Sequence, residues 1–185
     1  MKRYAFLFLL ASALYGCKQS EPKQTVESAV SADVESRLKE LNIVLSSPPP
    51  PSTSSIIKTI RIGNLVYTSG HGPEKPDGSR VLGKLGLDLT LEQGQEAARY
   101  TGIALLSSLK AEIGDLNKVK RIVKVIGMVN CVEGFTDQPK IMNEFSDMMV
   151  AVFGEKGKHA RSAVGMNALP RNMAIEIEMI VEVED

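Results

Sequence analysis

The chain has no tryptophan, and four tyrosines and five phenylalanines bring its aromatic share to only 5%. Proteins that grip single-stranded nucleic acid stack the bases on aromatic rings, so the composition argues against that class. A surplus of one charge is missing too, since 22 basic side chains stand against 22 acidic ones. Nucleic-acid binding leans on clustered Lys and Arg, and a balanced chain carries no such footprint. The densest basic group, Lys118, Lys120, Arg121 and Lys124, falls around a predicted strand whose alternation splits it between two faces. Only two histidines, His71 and His159, and two cysteines, Cys17 and Cys131, are present, which leaves no metal-ligand spacing.

What is present begins with an export pattern. Lys2 and Arg3 precede an eleven-residue apolar run, Tyr4 to Leu14, too short to span a bilayer as a helix and suited to the apolar region of a signal peptide. Leu14-Tyr15-Gly16-Cys17 resembles the lipobox of bacterial lipoproteins, which implies cleavage after residue 16 and lipid attachment at Cys17. The expectation is an exported lipoprotein of the bacterial envelope that meets the membrane only through this anchor. Lys18 carries no inner-membrane retention signal, so the outer membrane, on the periplasmic side, is expected. With Cys17 consumed, Cys131 is alone and no intramolecular disulfide forms. It reads as a small, partly buried residue at a strand end.

Residues 17–55 are expected to be a tether, a short helix and a spacer. Val34, Leu38, Leu41 and Leu45 recur at helical spacing within residues 31–44 and beyond, which predicts a short amphipathic helix docking on the domain. Four consecutive prolines at 48–51 then impose an extended segment. The domain proper is placed at 56–185.

Within it, residues 57–62 and 65–69 flank Gly63-Asn64, a two-residue turn signal that predicts a β-hairpin. Thr90-Leu91-Glu92-Gln93 has the capping-box pattern and opens a helix to about Ile113, with Ala98, Gly102, Leu105, Leu109 and Ile113 on its core face. Val119 to Asn130 reads as a strand. A second helix starts near Pro139, carries Met142, Phe145, Met149 and Phe153 on one side and stops at Gly154. Strands at 161–167 and 173–184 complete a β-β-α-β-α-β-β order. Both helices need one core, which predicts an α+β fold with two helices on one face of a mixed sheet. In the last strand Ile175, Ile177, Met179, Val181 and Val183 point one way and Glu176, Glu178, Ile180 and Glu182 the other. That second, mixed face suggests a subunit interface.

The most informative chemistry lies in Ala-Arg-Ser-Ala-Val (160–164) followed by the Glu-bearing last strand. A guanidinium at Arg161 and a carboxylate beyond the turn offer a carboxylate clamp and an acid/base group within reach of each other.

Four segments in order along the domain carry a resemblance: Ile-Gly-Asn-Leu-Val-Tyr-Thr-Ser-Gly (62–70), Gly-Asp-Leu (114–116), Ala-Arg-Ser-Ala-Val (160–164) with Leu169-Pro170, and Ile-Glu-Ile-Glu (175–178). They resemble the RidA/YjgF family of enamine/imine deaminases. The Arg-Leu-Lys-Glu-Leu helix (37–41), Gly-Lys-Leu-Gly (83–86) and Phe-Thr-Asp-Gln-Pro-Lys (135–140) are similar to a branch with an N-terminal helical extension.

The resemblance implies a homotrimer of chorismate-mutase-like domains with clefts at the subunit boundaries and no cofactor. It implies that Arg161 pairs in a fork with the carboxylate of a small substrate, that Glu176 places or activates the attacking water, and that backbone near Gly70 holds the substrate. Ser146 stands where relatives carry an asparagine in the second helix, by ungapped alignment, and is expected to touch the substrate. Ile56 or a neighbour stands where relatives have a tyrosine, and Ala163 where they have a cysteine, so the resemblance implies a pocket altered around a retained arginine. An imine of a 2-keto acid is already electrophilic, and its hydrolysis needs orientation, a proton shuttle and a placed water. The expected activity is hydrolytic deamination of small 2-imino or enamine acids to 2-keto acids and ammonia. A non-catalytic module that binds a small carboxylate, or meets an envelope partner, stands beside it.

Overall fold

The computed structural model describes residues 33–46 and 55–185. The expected signal peptide, Cys17 with its expected tether, and the proline run lie outside the described residues. An N-terminal helix α1, Val34–Glu40, is followed by β1, Thr59–Ile62, β2, Leu65–Thr68, and the long α2, Leu91–Ile113. Then come β3, Val119–Asn130, α3, Gln138–Phe153, β4, Ala160–Met166, and β5, Ile175–Val183.

Local chemistry explains each boundary. Gly63, at φ 59°, opens the two-residue turn between β1 and β2, where L side chains are rarely at ease. Thr90 accepts from the Gln93 backbone N–H while the Gln93 side chain accepts from the Thr90 N–H, so the predicted capping box starts α2. Pro139 sits in the first turn of α3, where its missing N–H costs nothing, and Gly154 at φ 62° ends that helix.

The strands form one mixed sheet in the order β1-β2-β5-β3-β4. All neighbours are antiparallel except β3 and β4, which run parallel with α3 as their crossover. Both long helices lie on one face. Leu105 and Leu109 of α2, Phe145 and Met149 of α3, and Val125, Ile177 and Val181 of the sheet are fully buried together. Burying a side chain of this size contributes about 1.5–3 kcal/mol, so this layer supplies most of the stability.

The other face is uncovered by any described element. Ile60, Ile62, Tyr67 and Val164 are exposed, and Glu178 and Ile180 alternate with the buried residues of β5. Lys124, Ile126 and Tyr67 line a shallow hollow of about 210 Å³ there.

Two expectations need correcting. The first helix is shorter than the apolar spacing predicted: Asn42, at φ 52°, turns the chain, and Ile43 rather than a helical Leu45 supplies the third buried contact beside Val34 and Leu38. The basic group around 118–124 does not alternate across a regular strand. Register shifts between Val119 and Arg121 and between Ile122 and Lys124 leave Lys120 and Arg121 both exposed, with Arg121 opposite Glu182.

Candidate functional site

Arg161 sits on the edge strand β4 opposite Val125 of β3, and Val125 points into the helix-covered core. Residues directly paired across a ladder share a face, so the guanidinium rises on the helix side of the sheet. There α3 meets it with three acceptors. Nη1 donates to Ser146 Oγ at 2.9 Å, and Nη2 donates to Asn143 Oδ1 at 3.1 Å and to the Pro139 carbonyl at 3.4 Å. Positions 139, 143 and 146 follow each other by four and three residues, so one helical stripe grips the side chain.

Of the guanidinium's nitrogens, α3 accepts from Nη1 and Nη2, and Nε has no hydrogen-bond partner among the described residues; a carboxylate gripped by Nε and Nη2 takes the place of the long 3.4 Å contact to the Pro139 carbonyl. Among the described residues no carboxylate lies within ion-pair distance of it. Partial burial pushes the guanidinium down from its ordinary range, and the charge of Asp147 opposes that. The group is oriented, charged and without an internal counterion, which is what a carboxylate clamp requires.

Ser146, expected to touch the substrate, stands beside the guanidinium. It lies against Arg161 and against His159, whose Nε2 is 3.1 Å from the hydroxyl. Asn143 is the residue that sequence reasoning missed. It lies one turn before Ser146 and accepts from Arg161 directly. The stripe at 139, 143 and 146 was the signal that could have found it.

Glu176 and Gly70 form a second cluster. Gly70 follows β2, and a Cβ built on it would fall 1.9 Å from Glu176 Oε1, so the carboxylate occupies the space a side chain would need. The next residue locks the two segments, with the His71 N–H donating to the Ile177 carbonyl at 2.9 Å and the Ile177 N–H returning at 3.0 Å. Partial burial raises the Glu176 carboxyl above the usual carboxylate range, and the neighbouring charge of Glu178 adds to the rise.

The two clusters do not meet within one chain. Glu176 pairs with Met128 of β3 and Arg161 with Val125, an odd separation along one strand, so their side chains leave opposite faces of the sheet. The parity of the pleat therefore keeps the guanidinium and the carboxylate apart within one copy.

The remaining candidates fall as follows. Ala163 pairs with Gly127 on the helix side and packs against the core, and Ile56 is exposed ahead of β1. Cys131 is buried just past β3, with the Gln138 amide 3.8 Å from its sulfur. Beside it lies a hollow of about 420 Å³ lined by Phe135, Gln138, Gly165 and Met166. His71 is buried, its Nδ1 2.8 Å from the Ser69 carbonyl and its Nε2 2.8 Å from Ser108 Oγ. Its polar atoms are thus satisfied, and burial lowers its pKa. Among the described residues no three His, Cys, Asp or Glu side chains converge to hold a metal ion, and no helix is long and apolar enough to cross a membrane.

Residues 53–183 match the family described as "YjgF/chorismate mutase-like, putative endoribonuclease". Protein TCP17 of Trypanosoma cruzi is 37% identical over 156 residues, covering 84% of this chain and 97% of its own length. The crystal structure of Atu1372 from Agrobacterium tumefaciens superimposes with a TM-score of 0.75 at 37% identity, covering 84% of this chain and 94% of that one. A 2-iminobutanoate/2-iminopropanoate deaminase of Dermatophagoides farinae is 27% identical over 144 residues, covering 76% of this chain and 96% of its own.

Proposed function

Because the chain belongs to the YjgF/chorismate mutase-like family, we propose that it hydrolyses small 2-imino acids to 2-keto acids and ammonia in clefts between copies of itself. The observation that carries the reading is the division of the machinery: Arg161 is preorganised on the helix side of the sheet, and Glu176 beside Gly70 on the open side. Each half lacks what the other has. The uncovered face with Ile60, Ile62 and Tyr67 supplies the apolar surface on which a neighbouring copy brings the halves together, and a closed trimer repeats that contact three times.

The chemistry follows from the two groups. Arg161 holds the substrate carboxylate and so fixes the C=N carbon. A water attacks that carbon of the protonated imine as Glu176 takes one of its protons, giving a neutral tetrahedral carbinolamine. Glu176 returns the proton to nitrogen, the C–N bond breaks with its electrons leaving on ammonia, and the hydroxyl oxygen closes to the keto group as Glu176 takes its remaining proton, which departs with the ammonia as ammonium. A carboxyl raised by burial both accepts and returns a proton near neutrality more readily than an ordinary one. The name of the mite relative, a 2-iminobutanoate/2-iminopropanoate deaminase, supports this substrate class. A ribonuclease role has less support, because equal numbers of basic and acidic residues build no groove for a phosphate chain.

The test is ammonia release from freshly generated 2-iminopropanoate. The purified protein is expected to accelerate it and Arg161→Ala is expected not to, whereas equal rates would sink the enzyme reading. A binding module that uses only the Arg161 fork is the second reading. It predicts pyruvate binding that Glu176→Gln leaves intact, with no turnover in either protein. The apolar start and Cys17 support export and lipid anchoring to the envelope. Labelled palmitate entering the wild-type protein but not Cys17→Ser would establish that anchor.

A further inference from the structure

Arg161 is held by a chain of three hydrogen bonds that begins away from the substrate. His159 Nδ1 lies 2.7 Å from the Gly157 carbonyl, which can only accept, so Nδ1 carries the ring proton. In the neutral ring Nε2 is then an acceptor, and the Ser146 hydroxyl, 3.1 Å away, must donate to it. With its hydrogen committed, Ser146 turns its lone pairs to Arg161 Nη1, which donates at 2.9 Å. The ring is fixed by the edge of Phe145, at 5.9 Å between centroids and 69° between planes.

We infer that His159 is a positioning residue for the carboxylate clamp: by taking the Ser146 hydrogen, it sets the direction in which Ser146 receives the Arg161 fork. The proposal rests on the clamp reading above and deepens it. Without an acceptor at His159, a serine within a helix turns its hydroxyl to the carbonyl four residues back, here that of Met142, and its lone pairs leave the guanidinium. The charged or titratable groups around the relay are Arg161 from β4 and Asp147 from α3, whose charge acts on Arg161. Burial, and then the Arg161 charge, lower the His159 pKa, which keeps the ring in the neutral form the relay needs. No step of the relay moves a proton to substrate. Its effect falls on binding.

Three variants of the whole protein test this, His159→Leu, His159→Gln and Ser146→Ala, with KM and kcat for 2-iminopropanoate and the Kd of pyruvate as readouts. Losing one well-placed hydrogen bond to a charged group corresponds to about tenfold, so His159→Leu is expected to raise KM and Kd by about that factor with kcat nearly unchanged. His159→Gln, which keeps an acceptor, restores most of the affinity. Ser146→Ala costs about the same factor, and adding His159→Leu to it costs little more, because both act through one hydroxyl.

A ligand-free readout stands beside these. Side-chain ¹⁵N NMR is expected to show the Nδ1–H tautomer at His159 and faster rotation of the Arg161 guanidinium in His159→Leu than in His159→Gln. An Nε2–H tautomer, additive losses in the double variant or a wild-type Kd in His159→Leu overturns the relay. Should the wild-type protein bind no pyruvate, the clamp reading falls, and unchanged Arg161 rotation in His159→Leu would then overturn the relay independently.

Discussion

At Gly70 the Glu176 carboxylate fills the place of an absent side chain. Gly70→Ala is therefore expected to push Glu176 aside and cut kcat more than tenfold while the melting temperature falls by only a few degrees, since the carboxylate swings toward the open face. Arg161→Lys keeps the charge but loses the fork that α3 orients, and KM for the imino acid should rise by one to two orders of magnitude. Glu176→Gln should lower kcat about 10²–10⁴-fold, the range a positioned proton-transfer group supplies. In the wild type, activity should climb with pH along a limb set above the usual carboxylate range, because the raised carboxyl must ionise to act as base. The Gln variant should lack that limb. Stability gives an independent check through the histidines. His71 and His159 both have pKa values lowered below 6.5, chiefly by burial, so the unfolded chain takes up protons first as pH falls. Denaturant midpoints should therefore be flat above pH 7 and decline through the window below 6.5. Arg161, Glu176 and Gly70 could be put forward from the sequence because strand and turn motifs carry them. The contacts of Asn143 with Arg161 and of His159 with Ser146 could not, since both depend on how α3 lies over β4.

Among the elements, the contact of α3 with the 3-10 turn Gly154–Gly157 is a close approach of backbone to backbone. A Cβ on Gly157 would lie 2.2 Å from the Met149 carbonyl oxygen and 2.6 Å from its carbon, both backbone atoms that cannot swing away. Gly157→Ala is expected to destabilise the fold by about 1–3 kcal/mol by urea unfolding and to raise KM as well, because the same glycine carbonyl holds His159. Helix α2, strand β3 and helix α3 were readable almost to the residue, as capping box, β-branched run and N-terminal proline each act locally. The bulges between Val119 and Lys124 were not readable, because they arise from pairing with β5, a partner distant in sequence. Helix α1 ended early for a similar reason. Asn42 turns the chain so that Ile43 enters the core, a contact that apolar spacing alone assigned to a longer helix.

For the whole molecule, the alternation of β5 announced a sheet with one face in the core and another of mixed character. What it could not announce was which face each half of the site would use, since that follows from the register of β3 with β4 and β5 together. Placing Arg161 and Glu176 on opposite faces makes assembly part of the catalytic proposal. Ile180→Glu, which sets a third carboxylate beside Glu178 and Glu182 on the open face, should give a folded monomer by sedimentation with no deaminase activity. The most direct test mixes two inactive proteins, Arg161→Ala and Glu176→Gln, by refolding them together at equal amounts. If each cleft takes its arginine from one copy and its glutamate from the next, about a quarter of the clefts are intact and about a quarter of wild-type ammonia release returns. No recovery in assemblies shown to contain both variants would contradict a site shared between copies.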